Sequence, residues 1–178
     1  MEGVNIRKVL LSNIDSLVDI SVKTFAETFS LSNKEKDMQK YIDENLSKDK
    51  LFAELSNSNS QFYFATINND VIGYIKLNSG QAQTELKSEK DSLEIERIYV
   101  LQGYQGMSIG RLLFQKVISV ANMEHVSYIW LGVWEQNLKA ISFYRKNGFT
   151  PFSKHIFKLG SDEQIDIMMK LMLNKNQK

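Results

Sequence analysis

From Ile14 onward apolar side chains return every three or four residues: Ile14, Val18, Phe25 and Phe29, with Ser21 between them, share one face of a helix. Ser12-Asn13-Ile14-Asp15 has the form of a capping box ahead of that run, so a first helix is predicted to reach about Phe29. Ser32-Asn33-Lys34-Glu35 repeats the form before Met38, Tyr41 and Ile42, and Ser47 stands where it would cap a short third helix through Leu51 and Leu55. Residues 4–9, ahead of all these, are a mixed run suited to an edge strand.

The period then changes from helical to extended. Residues 62–67 and 71–77 flank Asn68-Asn69-Asp70 and read as a hairpin. Residues 78–92 are polar and charged and read as a flexible loop, whereas 93–100 alternate Leu/Ile with Glu/Arg as a strand does. From Ser108 to about Asn122 an amphipathic helix is expected to bury Leu112, Leu113, Val117, Val120 and Ala121. A strand over 126–133, a helix over 137–147 closed by Gly148, and a strand pair over 149–159 and 164–173 follow. This order predicts an α/β fold with a mixed, partly antiparallel sheet, helices on both faces, and a central strand-helix-strand unit that is parallel and right-handed. One domain over residues 1–173 is expected, with 174–178 as a flexible tail. Ligands of such sheets bind at the carboxyl ends of the strands, here near residues 100–110 and 133–144.

Composition narrows the chemistry. The chain has 178 residues and no cysteine, which excludes thiol nucleophiles, disulfides and thiolate metal sites. Its length suffices to bury a core without such staples. No long apolar run and no basic-then-apolar leader occur, so a cytoplasmic location and no membrane partner are expected. The net charge of +1 conceals an asymmetry: 12 Lys/Arg against 16 Asp/Glu in residues 1–100, and 10 against 5 in residues 101–178. The basic residues form no run, which argues against a direct nucleic-acid partner.

Two segments could carry chemistry. Gln105-Gly106-Met107-Ser108-Ile109-Gly110-Arg111 lies between a strand and a helix, where small residues let main-chain amides approach phosphate oxygens. Three residues separate its glycines and Arg111-Leu112 follows, so it is not a Walker A loop. The same letters spell the G-x-S-x-G of a hydrolase elbow, but Ser108 stands well past the strand end, and the two histidines, His125 and His155, have no evident tie to it. Two distant histidines without cysteine also make a metal site improbable. The second segment runs from Trp130 to Phe149, where Asn137 can cap a helix and Tyr144 follows nearly two turns later on the same face. Packing and capping alone would account for both.

Together the two segments resemble the GCN5-related N-acetyltransferase (GNAT) superfamily. The first is similar to its Q/R-x-x-G-x-G/A turn, with Ser108 in place of the first glycine of G-x-G/A, and the second to its N-x-x-A-x-x-F-Y-x-x-x-G-F segment. Further likeness in residues 24–29, 55–57, 60–62, 93–99 and 129–135 points to the PaiA-type polyamine N-acetyltransferases of bacteria. The resemblance implies acetyl transfer from acetyl-CoA to a primary amine such as spermidine or spermine, without a metal and with a homodimer possible. Glu96 would be the base and Tyr144 the acid that protonates the departing thiolate, with Glu94 as the alternative base. Ile98, Tyr99, Val100, Gln105, Gly106, Met107, Ser108, Ile109, Gly110, Arg111, Asn137, Tyr144 and Lys146 would hold the cofactor. Glu27, Tyr41, Glu94, Trp134 and Glu135 would hold the amine. Acetylation of proteins or other small amines, and a degenerate domain that only binds CoA, are the competing readings.

Overall fold

The computed structural model describes residues 3–30, 32–159 and 162–173, and the expected tail at 174–178 lies outside them. In chain order its elements are β1 (Val4–Lys8), α1 (Ile14–Phe29), α2 (Glu35–Asn45), α3 (Lys48–Ser56), β2 (Ser60–Ile67), β3 (Asp70–Ser79), β4 (Ser92–Val100), α4 (Ile109–Met123), β5 (Tyr128–Trp134), α5 (Leu138–Lys146), β6 (Thr150–Leu159) and β7 (Asp162–Met172). The strands form one sheet in the order β1-β2-β3-β4-β5-β7-β6, antiparallel except for the parallel β4–β5 pair. The mixed α/β architecture is the one the residue pattern predicts.

Local sequence explains most of these elements. Asn68 and Asn69 take φ of 49° and 73°, the left-handed geometry a two-residue hairpin turn requires and Asn tolerates, and β2 and β3 pair from Ile67–Asp70 onward with one bulge at Ile72. The run Phe62 to Thr66 is buried on both sides because helices cover both faces. On one side Phe62, Phe64 and Tyr74 pack with Leu17 and Ile20 of α1 and Leu51 of α3. On the other, Ile75, Leu77 and Ile129 pack with Leu113 and Val117 of α4 and Ile141 of α5. A third cluster joins Phe25, Met38 and Leu46 of the N-terminal helices.

Several expectations need correction. Neither predicted capping box forms: Asn13 Oδ1 accepts from the Leu10 N–H at 3.1 Å, and α1 and α2 start without a side-chain cap, whereas Ser47 does accept from Lys50 N at 3.4 Å. Leu112 is half-buried, beside the buried stripe of α4. Residues 80–91 are not a free loop. Gln83, fully buried, donates through Nε2 to the carbonyls of Leu86 and Glu89 at 3.2 and 2.7 Å, and its Oε1 accepts from Ser92 Oγ at 2.9 Å and from Trp130 Nε1 at 2.6 Å. One amide thereby supplies the partners that main-chain groups in a buried loop need.

Candidate active site

β4 and β5 pair over three rungs, Ser92–Tyr128 to Glu94–Trp130, and then part. The gap opens a cleft of about 1110 Å³, walled by β4, the turn after it, the ends of β5, α5, and the N-terminal helices. It brings together most residues singled out in the sequence: Tyr41, Glu94 and Glu96; Ile98, Tyr99 and Val100; Gln105, Gly106, Ser108, Ile109, Gly110 and Arg111; and Trp134, Asn137 and Tyr144. Met107, Lys146, Glu27 and Glu135 are not part of its wall. Met107 and Lys146 are exposed, Glu27 Oε2 accepts from Gln102 N at 2.7 Å, and Glu135 lies 3.6 Å from Lys154 Nζ. These last two carboxylates already have partners of their own and do not join Glu94, Tyr41 and Trp134 in the cleft wall.

The turn into α4 is built by its backbone. Gly106 has φ of 81°, where a side chain would be strained, and Ser108 adopts φ of 58° despite carrying one. Ser108 thus keeps the left-handed backbone that a glycine would supply. Its hydroxyl makes no capping bond; its carbonyl accepts from Arg111 N at 3.1 Å and Leu112 N at 3.2 Å. A Cβ added at Gly106 or Gly110 would meet nothing within 4 Å, so the space over the turn is open to a ligand. The N-terminus of a 15-residue helix directs its partial positive charge there. Gln105 pins the turn, donating to Val100 O at 3.2 Å and accepting from Lys139 Nζ at 3.0 Å.

The two carboxylates of β4 have opposite electrostatic settings. The register with β3 skips Glu96, a bulge between Lys76–Arg97 and Leu77–Ile95. Lys76 Nζ lies 2.5 Å from Glu96 Oε2 and 2.8 Å from Glu54 Oε2, while Arg97 reaches Glu54 at 2.9 Å and Glu96 at 3.0 Å. Burial alone would raise the Glu96 carboxyl, but Arg97 and Lys76, with hydrogen bonds from Lys76 and Asn78, outweigh it and hold the group below its ordinary value. Glu94, 3% exposed, has no such cation among the described residues. It accepts from Asn78 Nδ2 at 2.9 Å, from Thr84 N at 3.0 Å and from the Thr84 hydroxyl, yet burial prevails and raises its carboxyl. Asn78 Nδ2 also donates to Glu96 at 2.5 Å, linking the pair.

Across the gap Asn137 caps α5, its Oδ1 accepting from Ala140 N at 3.1 Å, and Tyr144 sits on the same helix, packed against Phe143 and Phe149. Burial raises the Tyr144 phenol, so the ring keeps its proton and can donate it. The hydrolase alternative gains no support. Ser108 is exposed, and His155, on β6, lies between Glu85 and Asp166 at 3.6 Å from each. Among the described residues no group of three or more His, Asp or Glu is arranged to hold a metal ion, and no helix is long and apolar enough to cross a membrane. Sequence reasoning missed Glu54, Lys76, Asn78, Gln83 and Thr84; of the cleft's charged network, adjacent Glu96-Arg97 within an alternating strand was the visible sign of a bulge.

The site's relatives agree with its shape. Residues 20–149 match the acetyltransferase (GNAT) family model. An uncharacterized N-acetyltransferase of Lactobacillus delbrueckii subsp. lactis is 39% identical over 173 residues, covering 97% of this chain and 99% of its own. A spermidine N(1)-acetyltransferase of Thermoplasma acidophilum is 27% identical over 151 residues, covering 83% of this chain and 88% of the relative. Among solved structures, the PaiA N-acetyltransferase of Thermoplasma acidophilum in complex with coenzyme A has a TM-score of 0.78 at 24% identity, covering 96% of this chain and 99% of that one. YncA of Salmonella typhimurium with acetyl-CoA has a TM-score of 0.75 at 18% identity, covering 99% and 98%. With the forked sheet and the glycine turn already in place, the match over residues 20–149 completes the assignment: the chain belongs to the acetyltransferase (GNAT) family.

Proposed function

We propose that the chain transfers an acetyl group from acetyl-CoA to a primary amine, with polyamines such as spermidine or spermine as the substrate class. The observation that carries it is the fork: Glu94, a carboxyl raised by burial, stands on one wall of the cleft, and Tyr144, a phenol that keeps its proton, on the other. The names of the spermidine N(1)-acetyltransferase and of the coenzyme A-bound PaiA structure favour the same substrate and cofactor.

Acetyl-CoA supplies an acetyl group activated as a thioester. Main-chain amides from Gly106 to Gly110, and the Arg111 side chain, suit its pyrophosphate, and Asn137 suits the amide-bearing arm through its Nδ2, since Oδ1 serves the helix cap. An amine with a pKa near 10.4 starts about 4–5 kcal/mol short of its neutral form at pH 7, so a proton acceptor matters. Glu94 is better matched to that task than Glu96, whose charge is held by Lys76 and Arg97. Glu96 is reassigned to positioning: it anchors Asn78, which also holds Glu94. A main-chain N–H of the β4 stretch from Ile98 to Val100 is the donor for the tetrahedral oxyanion, and Tyr144 delivers the proton to the leaving sulfur.

The test is thiol release from acetyl-CoA with a panel of spermidine, spermine, butylamine and a lysine peptide. Faster turnover of the polyamines supports the reading. Equal rates for spermidine and butylamine would remove the polyamine assignment, and no release with any amine would remove the enzyme.

A further inference from the structure

The cleft has a second polar corner, on its β7 and β6 side, that acetyl transfer leaves unused. His155 and Asp166 are cross-strand partners with Nε2 and Oδ2 3.6 Å apart, and Glu85, from the segment that Gln83 holds in place, brings Oε1 to 3.6 Å from His155 Nδ1. All three line the cleft. Among the described residues His155 carries the sole basic nitrogens within 4 Å of either carboxylate, so two negative groups face at most one positive charge. The contrast with Glu54 and Glu96 is sharp, because those two carboxylates meet both Lys76 and Arg97. Burial raises the Asp166 carboxyl, with His155 opposing and Glu85 reinforcing the rise, as expected of charge that lacks a counterion.

Three further observations point to what would neutralise it. His155 Nδ1 is buried without a hydrogen-bond partner, with Glu85 Oε1 3.6 Å away, and in the neutral tautomer protonated at Nε2 it offers an open acceptor. An aromatic wall stands beside the carboxylates: Tyr41 stacks on Phe25 at 4.5 Å and meets Phe157 at 5.8 Å, and Tyr41, Phe157 and Asp166 line the same cleft. Gly132 of β5 backs the corner, where a Cβ would already touch Asp166 Oδ2 and His155 Cε1 at 3.4 Å each, so a larger residue would crowd the pair.

We propose that Glu85, Asp166 and His155, with the rings of Tyr41 and Phe157, form a subsite for the second ammonium group of a diamine or polyamine, the end that is not acetylated. The inference rests on the amine-acetyltransferase reading above and adds to it the residues that select for charge at a distance. An alkylammonium brings donors for two carboxylates and one imidazole nitrogen, and its methylenes suit the aromatic wall. A monoamine with an uncharged tail leaves the corner's charge unmet.

The test compares kcat/KM for 1,4-diaminobutane with that for butylamine in the wild type, Asp166→Asn and Glu85→Gln. The wild type should favour the diamine. The ratio should fall about 10-fold in Asp166→Asn, the scale of one lost charged hydrogen bond, and about 3-fold in Glu85→Gln, whose side chain is 43% exposed and stands outside the β6–β7 ladder. Glu85→Gln therefore keeps the test open if Asp166→Asn folds poorly. A diamine preference that survives in both variants overturns the subsite and leaves acetyl transfer to diamines standing. A wild-type ratio near one overturns the subsite and the polyamine reading together, and no transfer to any amine removes the reading beneath both.

Discussion

Arg97 Nη2 lies 3.0 Å from Glu96 Oε1, although neighbours along a strand ordinarily point to opposite faces. The bulge at Glu96 turns both toward the cleft, where Lys76 and Glu54 complete a set of two buried cations and two half-buried anions. Glu96→Gln would leave Lys76 and Arg97 sharing Glu54, an imbalance that should cost about 3 kcal/mol of stability in urea unfolding at neutral pH. The sign with pH follows from the depressed carboxyl: its contribution is present above the unfolded-state value and is lost as pH falls through the lower folded one. The gap between wild type and variant should therefore close on acidification below the ordinary carboxylate range.

Glu94→Gln should lower kcat by about 100-fold or more, the effect of removing a general base. Because burial raises the Glu94 carboxyl, kcat of the wild type at saturating amine should fall on its acid side at a pH above the usual glutamate value. Glu96→Gln should retain that limb. Its loss there, with a persisting limb in Glu94→Gln, would return the base to Glu96.

Tyr144→Phe should lower kcat about 10- to 100-fold while leaving acetyl-CoA affinity, measured by calorimetry, nearly intact. The ring's packing against Phe143 and Phe149 survives the substitution, so only the proton is removed. Full activity would make Tyr144 a packing residue.

Ser108→Gly should raise stability by up to about 1 kcal/mol, because φ of 58° is strained for a residue with a Cβ and natural for glycine. Ser108→Ala keeps the strain and removes a hydroxyl that makes no cap, so its unfolding midpoint should stay close to that of the wild type. Thermal melts of the two variants measure the difference.

The strands, the long helices and the glycine turn were readable because each depends on local periodicity and turn chemistry. The interior of the cleft was not, since it depends on residues far apart in the chain. Nothing near Glu54 announces that it sits against Lys76 and Arg97, and the loop around Gln83 has the polar composition of a solvated segment. Contacts with residues far along the chain, such as that of Gln83 with Trp130 Nε1, distinguish it, and a period-based reading has no access to such pairs. The different settings of Glu96 and Glu94 were hidden for the same reason: the two look alike along β4, and the cations that separate them come from elsewhere in the sheet or lie past a bulge. Glu27 and Glu135 carry the right charge but spend it on Gln102 and Lys154.

The parting of β4 from β5 also divides the chemistry between two leaves of one sheet. Glu94 stands at the last rung of the first leaf, and Tyr144 rides on the helix that follows the second. Their separation is governed by the angle of the fork, as the reach of a pair of tongs is governed at the pivot. Whatever seats in the gap supplies the cross-links that the backbone omits beyond Glu94. A ligand seated in the gap therefore also raises the free energy of unfolding, by an amount set by its affinity and its concentration.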